Sequence, residues 1–339
     1  MLYKKDIGLP FYDPIKQGRI WVLKYELEFS YYGSIQYSDD YGDSWNHWVD
    51  IPPYANYSTL TMDSSGNFYF AQSTGLYKVN GITKIITKAI TWNIAYNPHN
   101  WFSWTWGEDA NENLYTSAYT LTGTGGQFIW KFDGNNWNRI DLFSEDFPTQ
   151  RHIHSIHVNP FNNNIYISWG DEISARGIAV SQDQLQTYTV INELDTPGPT
   201  GLTFTKEAVW ITTDIVGSTN YLKSITDNAN AVKRWTVPEP YRIAPLYFAR
   251  AINDNEIWIL AYNELGSINT RTALFKLTKN SGVDQPWEAK KIIVGDDKGL
   301  NGNSYFQIGC GLNGVIPESS PYIFVERIGK KGLYRFMRN

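Results

Sequence analysis

An all-β ring of seven repeated sheets is predicted for this chain on three observations. A short run of apolar, aromatic and apolar residues recurs seven times, centred on Trp21, Tyr69, Tyr115, Tyr166, Trp210, Trp258 and Phe324. These centres lie 48, 46, 51, 44, 48 and 66 residues apart. No stretch carries a long apolar period of 3.6 residues, so almost no helix is expected. A period of about 40–50 residues with strand-like content is the signature of a β-propeller. Seven repeats predict seven blades in one domain over 1–339. A six-bladed ring with one misread repeat is the alternative, because the last spacing is long.

Each blade is expected to hold four strands, A to D from the axis outward. The aromatic runs are the B strands, at 19–23, 67–71, 113–117, 164–168, 208–212, 256–260 and 322–326. A second run follows each, at 33–38, 75–79, 127–132, 177–181, 221–225, 273–277 and 332–336, and reads as strand C. Most alternate apolar and polar residues, as half-buried strands do. A strands are expected just upstream of the B strands, as at 58–62, 155–158 and 201–205. D strands carry Trp-rich ends, as at 45–49, 137–140 and 235–237. Turn residues separate the strands, as in Asp63-Ser-Ser-Gly-Asn67 and Asp133-Gly-Asn-Asn136. The chain stops after the seventh C strand. Residues 1–8 are therefore expected to supply the missing D strand and close the ring, which removes an exposed sheet edge.

Composition narrows the function. The net charge of −5 is spread along the chain, whereas a nucleic-acid footprint needs clustered Lys and Arg. The apolar runs are too short to cross a bilayer, so no membrane span is expected. Met1-Leu-Tyr-Lys-Lys5 lacks the apolar run of a secretory signal. Cys310 is the single cysteine, in an apolar strand context. It reads as a small buried residue, and an intrachain disulfide is excluded.

Ser38-Asp-Asp-Tyr-Gly-Asp-Ser-Trp45 fits the pattern Ser-x-Asp-x-Gly-x-Ser/Thr-Trp. This is an Asp-box, and it resembles that of the sialidase-like (BNR repeat) propellers. Ser181-Gln-Asp-Gln-Leu-Gln-Thr-Tyr188 is a decayed copy, and 131–137 a looser echo. The box falls between strands C and D. Asp40 is expected to accept turn N–H groups, Gly42 to take a positive φ, and Trp45 to cover the hairpin. The resemblance implies that these turns lie opposite the active face, so Ser38, Asp40, Gly42 and Trp45 are structural, as are Asp39 and Asp43. Sialidases of the family use three arginines, a Tyr–Glu pair, an Asp acid and an Arg-Ile-Pro motif. Here Arg19-Ile20 is followed by Trp21, and Arg242-Ile-Ala-Pro245 carries an inserted Ala. The arginine triad is not carried over, and sialidase activity is not expected.

Propeller connectivity gathers the D-to-A and B-to-C loops on one face, here long and rich in aromatic and ionisable residues. Function concentrates on such loops. Arg151-His-Ile-His-Ser-Ile-His157 leads into the fourth blade, and Trp169-Gly-Asp-Glu172 and Arg176 lie on its next loop. A His beside a carboxylate can act as a general base, so His152, His154, Asp171, Glu172 and Arg176 are the catalytic candidates. Hydrogen bonding that staples the blades is the competing role. Trp104 and Trp106 have the period-2 spacing of one extended face, and Trp101 stands three residues upstream; exposed the three would stack on sugar rings, buried they are core. With Arg151, Trp169, Asp214 and Arg242 they are the ligand-binding candidates. Two histidines at i, i+2 without a third ligand do not predict a metal, and no cofactor is expected. Asp296-Asp-Lys-Gly-Leu-Asn-Gly302 lacks the EF-hand order and reads as a solvated loop.

The favoured expectation is a non-catalytic propeller that recognises a glycan or polysaccharide on a virion (phage-type) or other extracellular surface, with the cytoplasm as the alternative location. A glycoside hydrolase or polysaccharide lyase working at the channel mouth is the second reading. A structural propeller docking other virion or surface proteins is the third.

Overall fold

In the computed structural model the described residues are 2–5, 7–25, 32–54, 57–72, 75–91, 100–101, 103–117, 128–146, 152–170, 176–191, 198–215, 218–226, 231–261, 272–293, 306–327 and 332–338. They form seven antiparallel four-stranded sheets, a seven-bladed β-propeller. Blade 1 comprises Phe11–Tyr12, Ile20–Tyr25, Tyr32–Ser38 and Asn46–Tyr54. Blade 2 comprises Thr61–Met62, Phe68–Gln72, Gly75–Val79 and Ile86–Thr91. Blade 3 comprises Trp106–Glu108, Leu114–Thr116, Ile129–Phe132 and Trp137–Ile140. Blade 4 comprises Ser155–Val158, Ile165–Trp169, Gly177–Ser181 and Thr189–Ile191. Blade 5 comprises Pro199–Phe204, Val209–Thr213, Tyr221–Ile225 and Val232–Thr236. Blade 6 comprises Phe248–Asn253, Glu256–Ala261, Ala273–Thr278 and Glu288–Ile293. Blade 7 comprises Phe306–Ile308, Tyr322–Arg327 and Gly332–Met337, with Leu2–Lys5 as its outermost strand.

The ring closes as expected. Leu2 pairs with Arg335, Tyr3 with Tyr334, Lys4 with Leu333 and Lys5 with Gly332. Blade 7 also meets blade 1 through the Phe11–Cys310 bridge and through Arg335, which donates to Tyr41 O and Asp43 Oδ1. Burial falls outward: Ile165–Trp169 is wholly buried, whereas Val232–Thr236 is half exposed. The expected A strand at 58–62 is split. Tyr57–Ser58 pairs in parallel with Asn100–Trp101, Thr59 Oγ1 accepts the Ser103 N–H at 2.5 Å, and Thr61–Met62 joins the blade. Helix is confined to Leu142–Asp146 and two 3-10 turns among the described residues.

The recurring aromatics explain the spacing rule. Each packs toward the next blade: Trp21 on Phe68 (centroids 4.5 Å apart), Tyr69 on Trp106 (4.7 Å), Tyr166 on Phe204 (5.7 Å) and Phe324 on Tyr12 (5.9 Å). These are separations at which aromatic pairs attract beyond simple area burial. A buried phenol or indole also needs a partner for its polar tip. The A-to-B turn supplies it. Trp21 Nε1 donates to Asp13 Oδ2, Tyr69 OH to Asp63 Oδ2, Tyr115 OH to Asp109 Oδ2 and Trp210 Nε1 to Thr205 Oγ1.

The turn at 38–45 is tied by Ser38 and Asp40. Ser38 Oγ donates to Asp40 Oδ1 (2.6 Å) and accepts Gly42 N–H (2.7 Å); Asp40 also accepts Ser44 N–H (2.9 Å) and Ser44 Oγ–H (2.5 Å). Gly42 has φ +92°, and a Cβ there would lie 3.3 Å from the Trp45 ring. The decayed copy repeats the bonds: Ser181 Oγ to Asp183 Oδ1 (2.9 Å), Leu185 N to Ser181 Oγ (2.9 Å), Thr187 N and Oγ1 to Asp183 (2.9 and 2.6 Å). Leu185 takes the left-handed backbone, φ 67°, that glycine takes in the first copy.

Two segments fill the ring's axis. Ser103–Thr105, ahead of blade 3, carries Trp104 across to Phe248 of blade 6, with centroids 4.8 Å apart. From the other face, the loop after Cys310 enters the axis around Leu312–Gly314. Asn313 Oδ1 accepts Glu108 N–H (2.9 Å) and Asn313 Nδ2 donates to Glu108 O (2.9 Å) in blade 3. Thr203 of blade 5 donates to Gly314 O, and Ile316 N–H to Ala251 O of blade 6. Innermost strands expose one edge of unpaired peptide groups, and this plug satisfies those of Glu108 and the carbonyl of Ala251. It also accounts for part of the long last spacing, so the six-bladed alternative is set aside.

Candidate functional site

The loop face of blades 4, 5 and 6 gathers most of the described candidates. His152 and His154 precede strand A of blade 4, with ring centroids 5.1 Å apart. Both are buried, at 2% and 6% exposure. His154 Nδ1 sits 2.9 Å from Pro199 O in blade 5. A carbonyl only accepts, so Nδ1 carries a proton. Beside it, Ser155 and Ser168 hydroxyls both donate to Thr200 O (2.7 and 2.8 Å), and Thr200 Oγ1 donates to Leu246 O (2.8 Å) of the segment entering blade 6. This chain of bonds ties three blades together.

Trp169 closes strand B of blade 4 and is buried. Gly170 follows; a Cβ there would meet Gly198 Cα at 3.1 Å and Arg176 Cβ at 3.2 Å. Arg176 is thereby set against the blade 4–5 seam, and its Nε is buried without a hydrogen-bond partner. Asp214 N–H donates to Gly198 O (2.7 Å). Gly198 has φ +50°, and a Cβ there would lie 2.7 Å from Asp214 O, so this seam requires glycine. Arg242 is half exposed, with Nε 3.1 Å from Glu239 Oε1, and its carbonyl accepts Asn220 N–H (2.9 Å). Arg151, Asp171 and Glu172 lie outside the described residues, as does 296–302.

The tryptophan cluster does not form one extended face. The 3-10 turn at Ser103–Thr105 breaks it. Trp104 lies on the axis against Phe248, and Trp106 is 1% exposed between blades 2 and 3. Both are core, the second of the two expected outcomes; of Trp101 only the backbone pairing with Ser58 is described. The histidine run splits further along the strand. His157 is fully buried and its Nδ1 donates to Trp106 O (2.7 Å). Burial first, then the charge of Arg250, push its pKa down to about 3.

Two further features escaped sequence reasoning. Glu108 accepts from Ser64 N (2.9 Å) and Ser64 Oγ in blade 2. Burial pushes its carboxyl up to about 7 in spite of these bonds. On the opposite face, a cleft of about 220 Å³ between blades 1 and 7 is lined by Tyr12, Asp13, Ile15, Arg19, Tyr41 and Ser320, among others. Three of its polar groups are engaged: Asp13 with Trp21, Arg19 with Asp39 (2.7 Å), and Tyr12 OH with Tyr322 O (2.8 Å). The Arg19 bonds hold Asp39 down to about 2. Among the described residues no group of three or more His, Cys, Asp or Glu could hold a metal ion, and no helix is long and apolar enough to cross a membrane.

No protein-family model matches the chain, and no curated protein matches it. Solved structures do. A chain of a mitotic checkpoint complex superposes with a TM-score of 0.62 at 7% identity, over 99% of this chain and 88% of that one. A GH74 enzyme of Niastella koreensis superposes with a TM-score of 0.58 at 12% identity, over 89% of this chain. This chain spans about half of that enzyme, 48% of its length. A chain of a nidogen/laminin complex gives 0.48 at 10% identity, over 80% and 89% of the two chains. At such identities the first two likenesses show the fold alone.

Proposed function

We propose that this chain is a carbohydrate-recognising β-propeller that binds a glycan or polysaccharide on its loop face without cleaving it, displayed on a virion or other extracellular surface. The observation that carries this reading is the state of the histidine pair. His152 and His154 are buried, and His154 Nδ1 is bonded to a carbonyl of the next blade. An imidazole so placed staples blades; a general base must instead reach the proton it removes. Arg242, by contrast, is half exposed on the same face, and Arg176 lies at the neighbouring seam. Guanidinium forks suit sugar hydroxyls and carboxylates. The paired turns at 38–45 and 181–188, with matching bonds around Asp40 and Asp183, support kinship with the sialidase-like Asp-box propellers, without the arginine triad of the sialidases.

A glycan array paired with a reducing-end release assay tests the proposal. Wild type should bind, Arg242→Ala should bind about tenfold or more weakly, and neither should release reducing ends. The likeness to a GH74 enzyme makes the release arm essential. Turnover by wild type that disappears in His154→Ala would replace this reading with the hydrolase or lyase one.

A further inference from the structure

Arg250 lies in strand A of blade 6 and is 1% exposed. The groups that bear on it electrostatically are Cys310, beside strand A of blade 7, and His157, in strand A of blade 4. Strands on different sides of the ring thus converge on one guanidinium, which places it on the axis. Trp104 packs on Phe248, two residues before it, and Gly314 presses on the His157 ring: a Cβ there would be 2.7 Å from Nε2. Cys310 Sγ reaches Ser103 Oγ at 3.5 Å. The axis around Arg250 is closed from both faces.

The guanidinium is incompletely satisfied. Its Nη1 donates to Ala249 O at 2.9 Å, the Cys310 side chain bonds to the guanidinium and the Phe248 ring lies 5.7 Å from its carbon, while Nε and Nη2 are buried with no partner at hydrogen-bond geometry. No carboxylate is among the described groups that act on it. His157 cannot supply the negative charge, since its Nδ1 donates to Trp106 O and burial keeps the ring neutral. Arginine stays protonated at any ordinary pH, even where burial lowers its pKa. A full positive charge with two open donors therefore stands in a closed, low-dielectric interior, and such charges persist only with a partner.

We propose that the axis holds a small monovalent anion of halide size, accepting the Nε–H and Nη2–H of Arg250. The closure by Trp104 and Gly314 selects for small size. A water molecule would satisfy the donors and leave the charge unbalanced. Crystals soaked in sodium bromide should show an anomalous bromine peak in contact with Arg250 Nε and Nη2. Thermal unfolding of the full chain, in sodium chloride against sodium gluconate at equal ionic strength, should give a higher Tm in chloride, because a ligand of the native state stabilises it by mass action. That difference should vanish in Arg250→Met, which keeps the volume and removes the charge. Density for water alone at the guanidinium, with no bromine peak, overturns the proposal; so does a chloride effect of equal size in Arg250→Met. If that variant does not fold, the bromide map of wild type decides.

Discussion

Replacing Asn313 with Ala should cost the fold more than any exposed substitution, because this one amide completes the inner edge of blade 3. Its Oδ1 accepts Glu108 N–H at 2.9 Å and, more weakly, Val158 N–H at 3.4 Å; its Nδ2 donates to Glu108 O at 2.9 Å. Asn313 is buried and has φ 57°, a left-handed backbone that asparagine tolerates better than alanine. The variant leaves one peptide N–H and one C=O of Glu108 buried without partners. A lost buried bond of this kind costs about 1–2 kcal/mol once desolvation of the stranded group is included, so about 2–4 kcal/mol in total. For a chain of 339 residues the unfolding entropy makes this a fall of about 3–6 °C in Tm. Urea denaturation followed by tryptophan fluorescence measures it directly. Asn313→Asp is the sharper control: it keeps the acceptor and sets an oxygen against Glu108 O, so it should be at least as destabilising as alanine. A change within about 0.5 kcal/mol of wild type for both variants, the range of ordinary surface substitutions, would mean that the plug does not hold the ring's inner edge.

Glu108 should give stability a pH dependence near neutrality. Its folded pKa of about 7 lies above the ordinary 4.5, so its contribution is fully present below about pH 4.5 and is lost as pH rises through 7. The loss is at most about 3 kcal/mol, and Glu108→Gln should flatten that part of the stability profile. Asp40 should behave oppositely. Burial works against its ionisation, yet the bonds from Ser38 and Ser44 prevail and hold it at about 2, so its contribution is present above the ordinary pKa and fades as pH falls through 4 toward 2. Asp40→Ala and Asp183→Ala should each destabilise by about 1 kcal/mol, with glycan binding unchanged in the assay above because both turns lie on the opposite face. Tyr69→Phe keeps the ring against Trp106 and removes one bond to Asp63, a loss of about 1 kcal/mol by chemical denaturation; a loss above 3 kcal/mol would mean that the ring packing itself had changed.

The blade count, the strand order within a blade and the closing role of residues 2–5 were legible in the chain, because they rest on local information. A central aromatic every 44 to 66 residues marks strand B, and turn residues bound each strand. The turn at 38–45 was legible for the same reason: Ser38, Asp40, Gly42 and Ser44 bond to one another within seven residues. A second local signal went unread. Asp63-x-x-x-Asn67-x-Tyr69 returns as Asp109-x-x-x-Asn113-x-Tyr115, and in both the acid binds the phenol of strand B.

The axis was not legible. Trp104 and Trp106 share a period-2 spacing that suits a binding platform as well as a core, and their burial follows from Phe248 and Tyr69, which lie 144 and 37 residues away. His154 read as a base or as a staple, and the Pro199 carbonyl beside its Nδ1 comes from 45 residues away. Asn313 and Arg250 carry no motif at all. Periodicity records what each strand needs from its neighbours along the chain. Which polar groups meet at the centre depends on how seven innermost strands converge, and that convergence exists only once the ring has closed.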